Sequence, residues 1–322
     1  MKKAVKLFII LLPILAACSN ADYIPIPVEK DLIITINIKD STISFIDATE
    51  REQMIQWKME KSYSGGILFP DGDTLLLYGN QLETVDLYSL SSGSYLTSWK
   101  TGGGIVNALI TSGKEIVFVD QERNLARFFS LTGEELTSIS TKAKPYTILE
   151  GENKLFVLNI SDEILTIIDL KEKVKQEGFR IHPNATGAVL IEGKNELWIG
   201  GHGLGTNVES NIHVYDITTG NLTNTYYAPM MPINFKEWGN HLFVLSHGSN
   251  MLYKLTKTGE RVQSIQIGAN PFEIDVYQND IIIAGYDSDA IYFINPINLA
   301  IEQKVNVGQG PFQLIVREKI TR

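Results

Sequence analysis

Short apolar runs alternate with polar turns along the whole chain after residue 30. In the last copy of the pattern, the runs cover residues 272–276, 281–284, 290–294 and 300–307, with Gly, Asn, Asp and Pro between them. Runs rich in β-branched and aromatic residues with such boundaries are typical of strands joined by tight turns. The pattern therefore predicts units of four short strands.

The units repeat at a spacing close to 40 residues. The segments GANPFEIDV and GQGPFQLIV place Pro271 and Pro311 at equivalent points, 311 − 271 = 40 residues apart. Equivalent points further upstream are Pro232, Pro183, Pro145, Gly104 and about Gly65. Four strands in a repeat of about 40 residues are the sequence signature of a propeller blade. The sequence therefore predicts an all-β fold, a seven-bladed β-propeller with four-stranded blades.

The two ends of the repeat array complement each other. The N-terminal unit begins with a second strand at residues 32–36, and a spare first strand at residues 312–316 ends the array. Pairing of the two strands would complete the seventh blade and leave no open sheet edge. We therefore expect the propeller to cover residues 31–317, followed by a C-terminal tail of residues 318–322.

The repeats resemble the YVTN-type β-propeller family of surface-layer and periplasmic proteins. Residues 38–47, IKDSTISFID, match the first half of that family's repeat, and residues 265–271 and 305–311, IQIGANP and VNVGQGP, match the second half. The resemblance implies a seven-bladed fold. It implies no particular activity, because one fold hosts unrelated functions.

The N-terminus has the composition of a bacterial lipoprotein signal. A basic start and an apolar run over residues 7–15 precede Leu-Ala-Ala-Cys, which ends at Cys18. This pattern predicts a signal peptide of residues 1–17 and a lipidated tether of residues 18–30; an ordinary signal peptide with an incidental cysteine is the alternative. The apolar run is shorter than the roughly 20 residues that span a bilayer. We therefore expect a lipid-anchored protein at the cell membrane, facing outside the cytoplasm, at the cell surface or in the periplasm.

Cysteine content and charge limit the chemistry. Cys18 is the only cysteine in 322 residues, so the predicted domain has neither a disulfide nor a thiolate ligand. The chain carries a net charge of −9, and removal of residues 1–17 changes this to 25 − 37 = −12. Nucleic-acid binding requires basic surface, so we expect no nucleic-acid partner. The expected partners are the membrane, through the lipid on Cys18, and an envelope protein or a small ligand.

The mouth of the central channel is the predicted site. Loops that leave second strands and loops that enter first strands share this face, where propeller ligands usually bind. His202 and His247 follow second strands, and His182 precedes a first strand. Three imidazoles on one rim could bind a transition metal or serve as acid and base groups. The alternative is that they are ordinary turn residues, as no His-x-His or His-x-x-x-His spacing occurs; His213 and His241 are interpreted as structural.

A glycine-rich insertion lies in blade five, where the repeat lengthens to 49 residues. Residues 200–210, GGHGLGTNVES, permit close approach of backbone to a ligand. Gly203 and Asn207 of this loop, together with Tyr286 in blade seven, complete the ligand-binding candidates. The alternative is that the insertion is a surface loop without a role in ligand binding.

Motifs of known catalytic machinery do not occur, and no catalytic residue is predicted. The sequence contains no Gly-x-Ser-x-Gly elbow, Ser-x-x-Lys set or His-Glu zinc signature. The leading hypothesis is a non-enzymatic scaffold at the cell envelope that binds a ligand or a protein. The alternative is a metal- or quinone-dependent propeller enzyme of the lactonase, lyase or dehydrogenase type with its site at the channel mouth. The sequence does not identify a cofactor.

Overall fold

The structure, a computed structural model, describes residues 22–191 and 193–319. Within these residues the backbone forms seven four-stranded antiparallel sheets, one small hairpin and a single 3-10 turn at His247–Ser249. No helix in this part of the chain is long and apolar enough to cross a bilayer. The predicted signal peptide and Cys18 lie outside the described residues.

The strands follow the predicted repeat. Each blade is built from strands that follow one another in the chain, apart from two exceptions: blade five is interrupted by an inserted hairpin, and the first blade takes its innermost strand from the end of the array. Blade one contains β1 (Leu32–Asn37), β2 (Thr42–Asp47), β3 (Glu52–Lys58) and β30 (Pro311–Arg317). Blades two to four contain β4 (Gly65–Leu68), β5 (Thr74–Tyr78), β6 (Thr84–Ser89), β7 (Ser94–Lys100), β8 (Ile105–Ile110), β9 (Ile116–Asp120), β10 (Leu125–Phe129), β11 (Glu135–Ser140), β12 (Pro145–Gly151), β13 (Lys154–Asn159), β14 (Thr166–Asp169) and β15 (Val174–Gln176). Blade five contains β16 (Ala185–Ile191), β17 (Glu196–Gly201), β20 (Asn211–Asp216) and β21 (Leu222–Tyr227), with the inserted hairpin β18 (Gly203–Leu204) and β19 (Asn207–Val208). Blades six and seven contain β22 (Pro232–Trp238), β23 (His241–Ser246), β24 (Met251–Thr256), β25 (Arg261–Gln266), β26 (Pro271–Tyr277), β27 (Asp280–Gly285), β28 (Ala290–Ile294) and β29 (Ile301–Asn306).

The predicted closure of the ring is confirmed. Strand β30 pairs antiparallel with β1, so that Leu32 lies opposite Arg317 and Ile34 lies opposite Ile315. The blade order β3-β2-β1-β30 places the last strand of the chain innermost in the first blade. The seven-bladed, all-β architecture predicted from the repeat is therefore correct.

The second strands are apolar on both sides because each sheet is covered on both faces. Successive side chains of a strand point to opposite faces, and in β1 they enter different cores. Ile34 belongs to the hydrophobic cluster between blades one and two, whereas Ile33 belongs to the cluster shared with Ile282 and Phe293 of blade seven. Seven such clusters lie around the ring, one between each pair of neighbouring blades.

The glycine-rich insertion of blade five is an ordered hairpin. Gly203 pairs with Val208, and Leu204 pairs with Asn207. Gly203 has a φ of +83°, and a Cβ at this position would lie 2.1 Å from the carbonyl oxygen of Asn207. The hairpin therefore requires glycine at this position.

The described part of the predicted tether packs against blades one and two. The ring of Tyr23 stacks on Trp57 with centroids 4.8 Å apart, and Ile26 is buried in the cluster between these blades. The backbone N–H of Tyr23 donates to the carbonyl oxygen of Gly93 over 2.8 Å. The indole N–H of Trp57 donates to the carbonyl oxygen of Ile24 over 2.9 Å. Residues 22–30 are therefore a docked segment of the fold.

The buried guanidinium of Arg317 joins the closing strand to this segment. It donates hydrogen bonds to the carbonyl oxygens of Pro27 and Lys30 and, over 3.4 Å, to that of Gly72. Arg317 is 2% exposed. One side chain therefore connects the end of the ring, the N-terminal segment and blade two.

Candidate functional site

The first strands of the blades surround a central cavity of about 320 Å³. One polar position of these strands lines the cavity and links neighbouring blades. The amide of Asn107 donates to the carbonyl oxygen of Tyr146 over 3.1 Å, and the amide of Asn234 donates to that of Phe272 over 3.3 Å. The side-chain oxygen of Gln313 accepts from the backbone N–H of Gly66 over 2.7 Å. The wall of the cavity is thus held by hydrogen bonds between blades.

Blade seven places a carboxyl group, Glu273, at this position. Burial raises the pKa of Glu273 to about 7, although the amide of Asn234 opposes the shift by donating a 2.9 Å hydrogen bond to its carboxylate. The carboxylate of Asp275 raises the pKa further, and the ammonium of Lys236 lowers it. Lys236 and Asp275 themselves form an ion pair of 2.5 Å. The cavity therefore contains a carboxyl group that changes charge near neutral pH.

Two tyrosines face the same cavity. Burial raises the pKa of Tyr78 and of Tyr146, and the negative charge of Glu273 adds to the shift of both hydroxyls. Both tyrosines line the cavity wall. Their hydroxyl groups are therefore neutral hydrogen-bonding groups at physiological pH.

A continuous row of rings, which we call the aromatic row, borders the cavity at the channel mouth. Phe272 and Phe312 stack with centroids 4.4 Å apart and an interplanar angle of 26°. Tyr286 meets the ring of Phe312 edge-on at 6.3 Å, and His247 meets that of Phe272 at 6.1 Å. His202 meets His247 edge-on with ring centroids 5.0 Å apart. The row runs across blades five, six, seven and one.

The two histidines of the row are fixed by polar neighbours. Nδ1 of His247 donates to the amide oxygen of Asn270 over 2.8 Å, and its Nε2 lies 3.1 Å from the sulfur of Met231. Nδ1 of His202 lies 3.1 Å from the hydroxyl of Thr186. Burial, and then the neighbouring His247, lower the pKa of His202. An imidazole with a lowered pKa stays neutral at pH 7.

The third predicted histidine belongs to a different group. The ring of His182 lies 4.2 Å from that of His213, and Nε2 of His213 lies 3.2 Å from Oε2 of Glu209. Within residues 22–191 and 193–319, these three side chains are the group whose metal-ligating atoms all lie within 4.8 Å of one another. The structure therefore places His182 with His213, which the sequence had suggested to be structural, and apart from the pair His202 and His247.

The remaining predicted residues surround the mouth. The carbonyl oxygen of Gly203 accepts a 2.6 Å hydrogen bond from the amide of Asn184, and Asn207 is exposed in the hairpin. The ammonium of Lys39 lies 4.2 Å from the ring centroid of Tyr286 and forms a 2.6 Å ion pair with Asp287. Tyr286 is thus part of the aromatic row, whereas Gly203 and Asn207 shape the hairpin beside it.

Comparisons with known proteins establish the fold class alone. No family model matches the chain, and no curated protein matches it. A functionally unknown protein from Desulfotomaculum acetoxidans is similar over 89% of this chain and 98% of its own, with 11% identity and a TM-score of 0.73. Hydrazine synthase from Kuenenia stuttgartiensis is similar over 84% and 97%, with 13% identity and a TM-score of 0.70. Apo AztD from Citrobacter koseri is similar over 89% and 97%, with 12% identity and a TM-score of 0.61.

Identities this low carry the fold and no activity. The chain is therefore a seven-bladed β-propeller, and the finer resemblance to YVTN-type repeats stays a prediction.

Proposed function

We propose that this protein is a lipid-anchored binding protein outside the cytoplasm, and that its ligand is a small molecule with an aromatic ring. The observation that carries the proposal is the aromatic row at the entrance to a cavity of about 320 Å³. Ligand sites are usually cavities of 300–1,000 Å³ with apolar walls and a few polar groups.

The arrangement of groups gives the proposed ligand its chemistry. The ring faces of Phe272 and Phe312 offer stacking surface, which favours a flat apolar group. Deeper in the cavity, Glu273 and the hydroxyls of Tyr78 and Tyr146 offer hydrogen bonds. We therefore expect the ligand to combine an aromatic ring with a polar or cationic end.

The proposed location is supported by the chain's first residues. Leu15-Ala16-Ala17-Cys18 fits a lipoprotein cleavage site, and the chain has no other cysteine. The resemblance to a family of surface-layer and periplasmic propellers agrees with this location. The enzymatic alternative, a metal- or quinone-dependent enzyme, stays a prediction and would gain support from a bound metal.

The proposal is tested with a library of water-soluble aromatic amines and acids, measured by saturation-transfer NMR on the purified full chain. We expect some of these probes to bind to the wild type and to lose at least about tenfold in affinity in Phe272→Ala/Phe312→Ala, since each base-sized stacking contact contributes about 1–3 kcal/mol. The control is Tyr227→Ala, which removes an aromatic ring that is 65% exposed on an outermost strand.

Equal binding of these probes by all three proteins, or binding lost only in the control, would overturn the proposal. A thermal unfolding curve of each variant separates loss of the site from loss of the fold.

A further inference from the structure

Beside the channel mouth, blade five gathers three groups that ligate metals. His182 lies in the connection from β15 to β16, Glu209 follows the hairpin strand β19, and His213 lies in β20. They come from three separate segments, yet one ligating atom of each lies within 4.8 Å of those of the other two. Nitrogen and oxygen ligands around a tetrahedral Zn²⁺ ion are about 3.3 Å apart. The separations between these atoms would have to shorten by at most about 1.5 Å to place the three groups around one ion.

The imidazole of His182 packs against that of His213, with ring centroids 4.2 Å apart. Among the described residues neither of its ring nitrogens has a hydrogen-bond partner, although both are shielded from solvent. The backbone of His182 is held by a 3.0 Å hydrogen bond from its N–H to the hydroxyl of Tyr215. A shielded polar group without a partner destabilises a fold by about 1–3 kcal/mol. A metal ion bound to the nitrogen that carries the lone pair would give that nitrogen a partner, while the nitrogen that carries the proton would keep its part of the penalty.

The carboxylate of Glu209 is already oriented for such an ion. Its Oε1 accepts hydrogen bonds from the backbone N–H groups of Ser210 (2.9 Å) and Asn211 (2.8 Å). These bonds turn Oε2 towards Nε2 of His213. Fixing a ligand through its second oxygen is how outer-shell contacts prepare metal sites.

We propose that His182, Glu209 and His213 bind a divalent transition-metal ion of the Zn²⁺ class. Two imidazoles and one carboxylate suit Zn²⁺ and related ions, and three protein ligands leave a fourth position open for water or another ligand. An oxygen-rich set, such as Ca²⁺ and Mg²⁺ prefer, is not offered by two imidazoles.

The ion would also hold the loops of the channel mouth. The backbone N–H of Glu209 donates to the carbonyl oxygen of His202 over 3.1 Å, and its carbonyl oxygen accepts from the N–H of Met231 over 2.7 Å. Met231 in turn contacts His247. Both histidines of the aromatic row are therefore one or two contacts away from the proposed metal ligand Glu209.

The test is a calorimetric titration of Zn²⁺ into the purified full chain after removal of metal with a chelator. We expect a single equivalent to bind, and His182→Gln and His213→Gln each to weaken binding by at least about tenfold, the least that loss of groups supporting a metal site costs. The control is His241→Gln, at the start of β23 and outside the cluster, which should bind as the wild type does.

The visible spectrum of the Co²⁺-loaded wild type gives a second measurement that needs no variant. A tetrahedral or five-coordinate nitrogen–oxygen spectrum supports the proposal, and a spectrum of hexaaquo Co²⁺ overturns it. Unchanged Zn²⁺ affinity in His182→Gln would also overturn the proposal. Loss of binding only in His202→Gln/His247→Gln would place the metal in the aromatic row and equally overturn it.

Discussion

The amide group of Asn234 in blade six donates a 2.9 Å hydrogen bond to the carboxylate of Glu273 in blade seven. This contact continues the inter-blade hydrogen bonds that Asn107, Asn234 and Gln313 make from the same strand position, at which blade seven carries the ionisable group Glu273. The amide favours the ionised carboxylate, yet burial has the larger effect and raises the pKa of Glu273 to about 7. Stability should therefore depend on pH through this residue.

Replacement of Glu273 by glutamine should stabilise the protein more in mild base than in mild acid. The pKa of the carboxyl is about 4.5 in the unfolded chain and about 7 in the fold, so between these values the folded state binds more protons and wild-type stability falls as pH rises. The full shift corresponds to about 3 kcal/mol. Because Glu273 is half-buried, its charge is partly screened. We therefore expect the stability advantage of Glu273→Gln over the wild type to grow by about 1–2 kcal/mol from about pH 5 to about pH 8.

Urea unfolding at both pH values measures this difference. Glutamine keeps the acceptor for Asn234, so the comparison isolates the charge. A constant difference between the two proteins at both pH values would show that Glu273 does not titrate in this range.

Replacement of Arg317 by methionine should weaken the closure of the ring. Methionine keeps much of the apolar stem but leaves the carbonyl oxygens of Pro27, Lys30 and Gly72 without this donor. Loss of hydrogen bonds from a buried charged group should lower the free energy of unfolding by about 2–4 kcal/mol. The urea midpoint provides the measurement.

The matched control is Lys175→Met, which removes a cation from an exposed position of β15. Surface substitutions of this kind usually change stability by less than about 0.5 kcal/mol. If Arg317→Met unfolds at the midpoint of this control, the guanidinium does not hold the closing strand.

Replacement of Cys18 by alanine should release the protein from membranes. The predicted lipid would be attached through this thiol, and the short apolar run before it is not long enough to anchor the chain by itself. Fractionation of cells that produce each form, followed by detection in the soluble and membrane fractions, gives the answer. Ser19→Ala serves as control, and a Cys18→Ala protein that stays in the membrane fraction would contradict lipid anchoring.

The architecture could be predicted because its signals are local and periodic. Each second strand is a continuous apolar run flanked by turns. The 40-residue offset between Pro271 and Pro311 places these residues at equivalent positions of neighbouring blades. The same offset relates Phe272 to Phe312, so their meeting at the mouth could have been inferred from the repeat. The closing pair of β1 and β30 followed from counting strands.

The cluster proposed to bind a metal could not be predicted in this way. His182, Glu209 and His213 lie close together because an irregular connection and an inserted hairpin pack beside a regular strand. The repeat period aligns the regular strands of the blades, and it does not determine where such irregular segments place their side chains. The sequence instead grouped His182 with His202 and His247 by their common face. A shared face of a propeller extends across the whole ring, and it does not bring all of its loops into contact.

The docked N-terminal segment determines how a lipid anchor would orient the molecule. Tyr23 contacts the β6–β7 turn at Gly93, and Arg317 ties residues 27 and 30 to the β4–β5 turn at Gly72. Turns that join first to second and third to fourth strands lie on the face opposite the channel mouth. Three residues lie between Cys18 and Asp22, and the four Cα–Cα steps that join the two can span at most about 14 Å. With a lipid on Cys18, the bilayer would lie beneath that opposite face, and the aromatic row would open towards the aqueous compartment, accessible to solutes that never touch the membrane.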